Sequence, residues 1–479
     1  MTRAALPLSE ATLGHHAQRV AVPGYDRARL APGVLHISVG SFHRAHQAVY
    51  LDDLAALGHR EWGLVGVGLH RPQMREALEP QDGLFTVVER GAGGDHARVV
   101  RVVTRYLFAP QQRAELLHAL RDPRLRLVTL TITGAGYTAH PSAEGSAIDL
   151  LVAGLARRRA DGLPPFTVLS CDNLPGNGDL ARGAVVGLAA ARDPELARWI
   201  DAQGAFPSSM VDRITPRTSD ADRAWVAEAF GVRDRWPVIT EPFSQWVVED
   251  RFSAGRPPLE EVGVQLVDDV APYALLKTRM LNASHCVLGH LGGLLGHGRT
   301  DEAVGDPLLR AALDALMERE VQPLLHPVPG VDVDAYRATV LERLANPVLG
   351  DRLARLRRNG SDKVPVHVVS SLARARASGR PHGLLALGVA AWLRCLRGTD
   401  EAGRPLELED PRAARLGELA RRGGPDPRPL LHERGLFGAL AGDEALAAQL
   451  AATLEAFERD GVRTTVRAAL AAQDTPAVA

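Results

Sequence analysis

At 479 residues, the chain is too long for one ordinary core, and about two large domains are expected. Hydrophobic residues make up 46% and charged residues 24%, the balance of a water-soluble globular protein. A formal net charge of −1 offers no basic field to nucleic acid or an anionic membrane.

Met1 to Asp26 carries no positively headed apolar stretch, so no secretory leader is expected. The first elements follow from Val34. Val34 to Gly40 is a short apolar run ending in glycine, and Arg44 to Leu57 places Ala48, Leu51, Leu54 and Ala55 at helical spacing. Trp62 to Gly68, Leu125 to Thr133 and Phe166 to Cys171 are further buried strands, with helices predicted over Ala114 to Arg121 and Ile148 to Arg159. Apolar strands alternating with amphipathic helices predict an α/β, doubly wound (Rossmann-type) domain with a parallel sheet, whose ligands bind at the carboxyl ends of the strands.

After about Asp268 strand signals nearly vanish. Leu275 to Leu295, Asp306 to Val321, Val333 to Leu344, Leu384 to Leu396 and Glu444 to Arg459 are predicted helices, and Arg421 to Pro429 an exposed loop. The expected division is residues 1–268 as a dinucleotide-binding domain and 269–479 as a mostly α-helical substrate and catalytic domain. The longest apolar run, Gly383 to Leu393, is far short of the roughly 20 residues of a membrane span and is predicted to be a core helix.

Cys171, Cys286 and Cys395 are odd in number and widely spaced, which gives no disulfide framework and makes a reducing cytoplasm the simplest location. His285, His290 and His297 lack Cys or Glu at ligand spacing, so no metal site is expected. Lysine is nearly absent: of 56 Lys and Arg residues only Lys277 and Lys363 are lysines. A lysine can be tuned to lose its proton near neutral pH, whereas an arginine cannot. On a regular α-helix, at about 100° per residue, Lys277, Asn282 and His285 fall within an arc of about 140° and can face one cleft. Lysine can act as a base, asparagine as a donor to a developing alkoxide, and histidine as a partner for a neighbouring hydroxyl.

Ser38-Val-Gly-Ser-Phe-His-Arg-Ala-His-Gln47 is a poor match to the Gly-x-Gly-x-x-Gly dinucleotide turn. It closely resembles, however, the fingerprint of the polyol-specific long-chain dehydrogenases. The resemblance continues in Ser170-Cys-Asp-Asn-Leu-Pro-Gly-Asn-Gly178, Met210-Val-Asp-Arg-Ile-Thr-Pro216, Glu241 to Asp250, Lys277-Thr-Arg-Met-Leu-Asn-Ala-Ser-His285 and Asn359-Gly-Ser-Asp-Lys363.

The resemblance implies hydride transfer between NAD, with NADP open, and a polyol/ketose pair. Lys277 would be the general base, Asn173 and Asn282 the alkoxide-stabilising donors, and His285, Asp212, Arg355 and Lys363 the substrate-binding residues. The cofactor is expected at Val39, Gly40, Ser41, Phe42, His43, Arg44 and Arg71. To serve as a base, Lys277 would need its pKa brought from about 10.4 toward roughly 7–8, which burial and a nearby positive charge both favour. Leu174-Pro175, Thr215 and Arg355 resemble the mannitol-oxidising branch, so D-mannitol/D-fructose leads. D-arabinitol, D-sorbitol and a fructuronate-type hexuronate reductase are alternatives, as is a catalytically silent sugar- or nucleotide-binding relative. A monomer is expected from the family.

Three departures stand out. Gly134 and Ala274 occupy positions where the family often has acids that relay protons. No acid follows the second strand until Glu76, with Arg71 in between. Ser38 replaces a glycine, a change expected to be harmless if its backbone angles are ordinary.

Overall fold

A computed structural model describes residues 5–138 and 143–473, and the chain divides into two compact units, Met1–Ala271 and Pro272–Ala479.

The first unit is built on five parallel strands, β1 (Val34–Ile37), β2 (Leu64–Gly68), β3 (Val103–Phe108), β4 (Leu127–Leu130) and β5 (Thr167–Ser170), in the order β3-β2-β1-β4-β5. Alternate residues serve different cores. Leu35, Ile37, Val65 and Val67 pack with helices at Arg113–Leu120, Ala147–Ala160 and Asn177–Arg192, whereas Val34, Leu64 and Leu127 face the opposite side. That period of two, with both faces apolar, is what a sheet covered on both sides requires. The second face is covered by α1 (Ser41–Ala45) and α2 (Gln47–Leu57), and also by strands that were not anticipated. Phe85–Gly91 pairs with Gly94–Val100 and Val238–Thr240, and Gln245–Glu249 pairs with Ser209–Asp212 and Gln265–Val267.

The second unit is helical. At its centre α4 (Ala283–Leu294) packs against the predicted apolar helix, which spans Gly383–Cys395, and against α5 (Leu353–Arg357). Glycines let these axes approach: a Cβ on Gly292 would lie 2.9 Å from Leu353 Cδ1, and one on Gly289 would lie 2.9 Å from Leu356 Cβ. The expected loop at Arg421 to Pro429 is corrected, because the helix Ala413–Gly423 runs through its first residues and another begins at Arg428. The basic face of Ala413–Gly423 stays exposed while Leu416, Gly417 and Ala420 are buried, so helical spacing overrides the polar composition. Among the described residues no helix is long and apolar enough to cross a membrane.

Candidate active site

In the first unit the winding direction reverses between β1 and β4, the position at which open α/β sheets bind ligands. A crevice of about 820 Å³ opens there, lined by Ser38 after β1, Leu69 and His70 after β2, and Thr131, Ile132 and Thr133 after β4. Gly40 caps α1 with φ −132°, and a Cβ added to it would meet nothing closer than the Ser38 carbonyl oxygen at 3.9 Å. The open space over this backbone is the cradle a pyrophosphate needs.

The fingerprint residues divide by burial. Val39, Gly40, Ser41 and Phe42 form the turn, while His43 and Arg44 have no exposed surface. His43 stacks on His36 with ring centroids 3.5 Å apart, and His36 bridges Thr129 Oγ1 (2.7 Å) and Thr131 Oγ1 (3.0 Å) across β4. Burial keeps both rings neutral, lowering His36 to about 3 and His43 well below its ordinary range. Arg44 donates to the Trp236 carbonyl and lies over the Phe85 ring, 5.3 Å from its centroid. These two side chains therefore anchor the turn from beneath. Arg71 is exposed, and at this edge His70 lines the crevice.

Ser38 requires a correction. Its φ is 77°, in the region that favours glycine, and holding a side chain there costs about 1 kcal/mol. Its amide donates to Val67 O (2.8 Å), and its carbonyl accepts from Thr131 Oγ1 (2.9 Å); the strand end is fixed on both sides, which sustains the strained angle. Thr133 is a second case, at φ 64°. The Asp172 carboxylate holds it, accepting from the amides of Thr133 (2.7 Å) and Ile132 (3.1 Å) and from the Tyr137 hydroxyl (2.7 Å). Gly134 follows, where an added Cβ would touch only Leu174 at 3.8 Å, so the missing acid is not excluded by crowding. Next to Asp172, Asn173 is exposed after β5, and Asp212, 4% exposed, ends the strand Ser209–Asp212.

In the second unit the helix carrying Lys277 is not regular. α3 (Ala271–Lys277) passes into a π-turn at Thr278–Asn282 before α4 begins. The assumption of a uniform α-helix is corrected here. Five residues along an α-helix separate side chains by about 140°, whereas an i→i+5 turn brings residues five apart to one side. The π-turn thus carries Asn282 round toward Lys277. Lys277 is 6% and Asn282 8% exposed. Asn282 Nδ2 and His285 Nε2 are buried without a hydrogen-bond partner. His285 lies well below its ordinary pKa, first through burial and then through the charges of Arg355, Arg343, Lys363 and Lys277.

The structure therefore brings Lys277, Asn282, His285, Arg355 and Lys363 into one neighbourhood. Arg355 pairs with Asp351 through two contacts of 2.6 and 2.5 Å, and Lys363 Nζ donates to the Arg355 carbonyl at 3.3 Å. Burial lowers the Lys363 pKa, reinforced by Arg355 and Arg358 and opposed by Cys286. Two nearby residues, Arg343 and His367, were not found from sequence. Neither lies in a motif, and only their proximity to the cluster marks them. Among the described residues no group of three or more His, Cys, Asp or Glu is placed to hold a metal ion.

Comparison with known proteins agrees with this geometry. Residues 32–261 match the mannitol dehydrogenase Rossmann domain and residues 269–458 the mannitol dehydrogenase C-terminal domain. The chain belongs to the mannitol dehydrogenase family. Within that family it is 42% identical to mannitol 2-dehydrogenase of Aspergillus fumigatus over 476 residues, covering 93% of this chain and 95% of that protein. It is also 42% identical to mannitol 2-dehydrogenase of Phaeosphaeria nodorum, covering 94% and 83%. Among solved structures, the Pseudomonas fluorescens mannitol 2-dehydrogenase ternary complex with NAD and D-mannitol superposes with a TM-score of 0.90 at 39% identity, covering 97% of this chain and all of that one. A substrate-free D-sorbitol dehydrogenase follows at 0.87 and 34%, covering 96% of this chain and all of that one.

Proposed function

We propose that this mannitol dehydrogenase family member oxidises a polyol reversibly at a secondary hydroxyl, D-mannitol to D-fructose first. The observation that carries the reading is the buried Lys277 with the unpartnered Asn282 Nδ2 and His285 Nε2 beside it. Lys277 Nζ, in its neutral form, takes the hydroxyl proton as the alkoxide develops. Asn282 Nδ2 donates to that oxygen, and neutral His285 bonds a neighbouring hydroxyl. The family motif gives Asn173 the second donor role and Asp212, Arg355 and Lys363 contacts to the rest of the substrate. The cofactor is NAD, with NADP accepted to some degree, and it supplies the hydride acceptor. The main chain of Val39, Gly40, Ser41 and Phe42 would hold its pyrophosphate, and no acid between Gly68 and Glu76 repels a 2′-phosphate. We further take the enzyme to be a cytoplasmic monomer.

A second reading, reduction of a hexuronate, is favoured by one observation: Lys277, Lys363, Arg355 and Arg343 all act on His285, and such a cluster suits a carboxylate. Rates with D-mannitol, D-sorbitol and D-arabinitol under both cofactors, and for D-fructose against D-fructuronate, separate the two. Turnover of D-mannitol and D-fructose is the expected result. No change in NADH absorbance with any of these polyols, with D-fructose or with D-fructuronate would reject both.

Gly40 gives an independent check on the cofactor site. Its φ is ordinary and its surroundings are open, so Gly40→Ala should fold with an unchanged melting temperature. The added methyl projects over the backbone that the pyrophosphate must approach, and NADH affinity by fluorescence titration should fall roughly ten-fold, about 1.4 kcal/mol. Unchanged affinity would remove this turn from the cofactor site.

A further inference from the structure

The second unit holds a buried polar group that the mechanism above does not use. His367 lies at the centre of a π-turn, Pro365–Val369, which follows α6 (Gly360–Val364) and packs against both the π-turn at Thr278–Asn282 and α4. It stands four residues beyond Lys363, the spacing that makes helical neighbours. The residue is 9% exposed, and its Nδ1 is buried with no hydrogen-bond partner.

Two other buried histidines are paired, although His43, stacked on His36 beside the cofactor turn, also leaves both ring nitrogens unpartnered. His36 engages both ring nitrogens, and His290 sets its Nδ1 on the Cys286 carbonyl oxygen at 2.6 Å. The nearby ammonium of Lys363 is directed at the Arg355 carbonyl instead. Buried polar atoms of native proteins are nearly always paired; near Lys277 the unpaired ones are Asn282 Nδ2 and His285 Nε2, to which the mechanism gives a ligand, together with Arg279 Nε and Ser284 Oγ, to which it does not.

We propose that His367 is a further substrate-binding residue, its Nδ1 accepting a hydrogen bond from a hydroxyl of the polyol or ketose chain. The inference rests on the reading of Lys277 and its neighbours as the substrate site. The ring is neutral at working pH: burial first, then the charges of Lys277 and Lys363, lower its pKa to about 3. A neutral imidazole offers one acceptor and one donor, which suits a vicinal diol. Its constant protonation state also means that it binds substrate without contributing to the pH profile.

The test compares His367→Phe, which keeps a planar ring without the acceptor, with His367→Asn, whose amide oxygen can take the place of Nδ1. The phenylalanine variant should raise KM for D-mannitol and D-fructose roughly ten-fold, with NADH affinity unchanged. The increase should be the same from pH 6 to 9, and the asparagine variant should recover most of it. If His367→Phe is unstable, His367→Asn against His367→Leu gives the same comparison. Unchanged KM in a folded His367→Phe enzyme, or an increase confined to one end of the pH range, overturns the proposal. Lys277→Ala distinguishes the two levels: activity retained there removes the site reading itself, whereas activity lost there with KM unmoved at position 367 removes only the role of His367.

Discussion

Lys277→Ala is expected to lower kcat by about 10²–10⁴-fold, the usual contribution of a positioned general base, while NADH binding is retained. The two effects separate because Lys277 belongs to the second unit, whereas the crevice lined by Ser38 and Thr131 belongs to the first. Lys277→Arg should be as inactive as the alanine variant, since a guanidinium stays protonated at any pH the enzyme tolerates. A small primary amine in solution should restore part of the alanine variant's rate and none of the arginine variant's, whose side chain still fills the space. Near-normal turnover by Lys277→Ala would dismiss the base assignment outright.

The second large effect is on stability in acid. His285, His290 and His367 are all neutral in the folded second unit, with His290 and His367 lowered to about 3, in each case chiefly by burial. In the unfolded chain these rings protonate near their ordinary value of 6.5. Below that pH the unfolded state binds more protons, so stability falls as pH drops; for His290 and His367 the loss ends near pH 3, where the folded rings also protonate. Each histidine contributes about 1.4 kcal/mol per pH unit within the window.

Glu320 works in the opposite direction: its carboxyl is raised by burial, so the fold holds that proton more tightly. In the first unit His36 and His43 are likewise lowered by burial, and the carboxyls of Asp52 and Asp172 are raised by it. Calorimetry of the cofactor-free protein from pH 7.5 to 4.5 should show a transition that holds its position above pH 7 and moves down steeply below pH 6. A transition that stays in place to pH 5 would contradict the neutral histidines.

Much of the first unit was legible because its strands are buried on both faces. β1, β2, β4 and β5 appear as predominantly apolar runs, since every position on them is buried, with polar exceptions such as His36 and Thr129 that pair with each other inside the fold. β3 was missed: it lies at the sheet edge, where Thr104 and Arg105 are partly or fully exposed and interrupt the pattern. The strands between Phe85 and Val267 were missed as well: Gly94 to Arg98 of the Phe85–Val100 hairpin is exposed or only partly buried, and the other strands pair across longer stretches of chain. In the second unit Val333–Leu344 and Glu444–Arg459 match their predicted limits because both begin at an aspartate whose side chain caps the first turn.

At the site, residue types were legible and local geometry was not. Lys277, Asn282 and His285 stand out by chemistry and by family motif, yet nothing in residues 278–282 announces a π-turn, because the i→i+5 pattern arises from packing rather than propensity. Ser38 illustrates the same limit. The sequence marks it as standing where the family has glycine, yet only the observed φ shows that the glycine's conformation is kept. His367 lies outside every motif and is visible only through the orphaned nitrogen and its neighbours.

The π-turn between α3 and α4 has a further consequence, which concerns chain length rather than side chains. A turn of this kind holds one residue more than the α-helix on either side. Deleting a single residue within 278–281 would let the segment relax to a continuous α-helix, with Lys277 and Asn282 then only four positions apart. Four α-helical residues and the five of the π-turn bring side chains to nearly the same side, so Asn282, His285 and the rest of α4 would keep roughly their present orientation to Lys277. An insertion has no such outlet: it would turn α4 by about 100° against α3 and carry the donor away from the base, so the segment tolerates losing a residue better than gaining one.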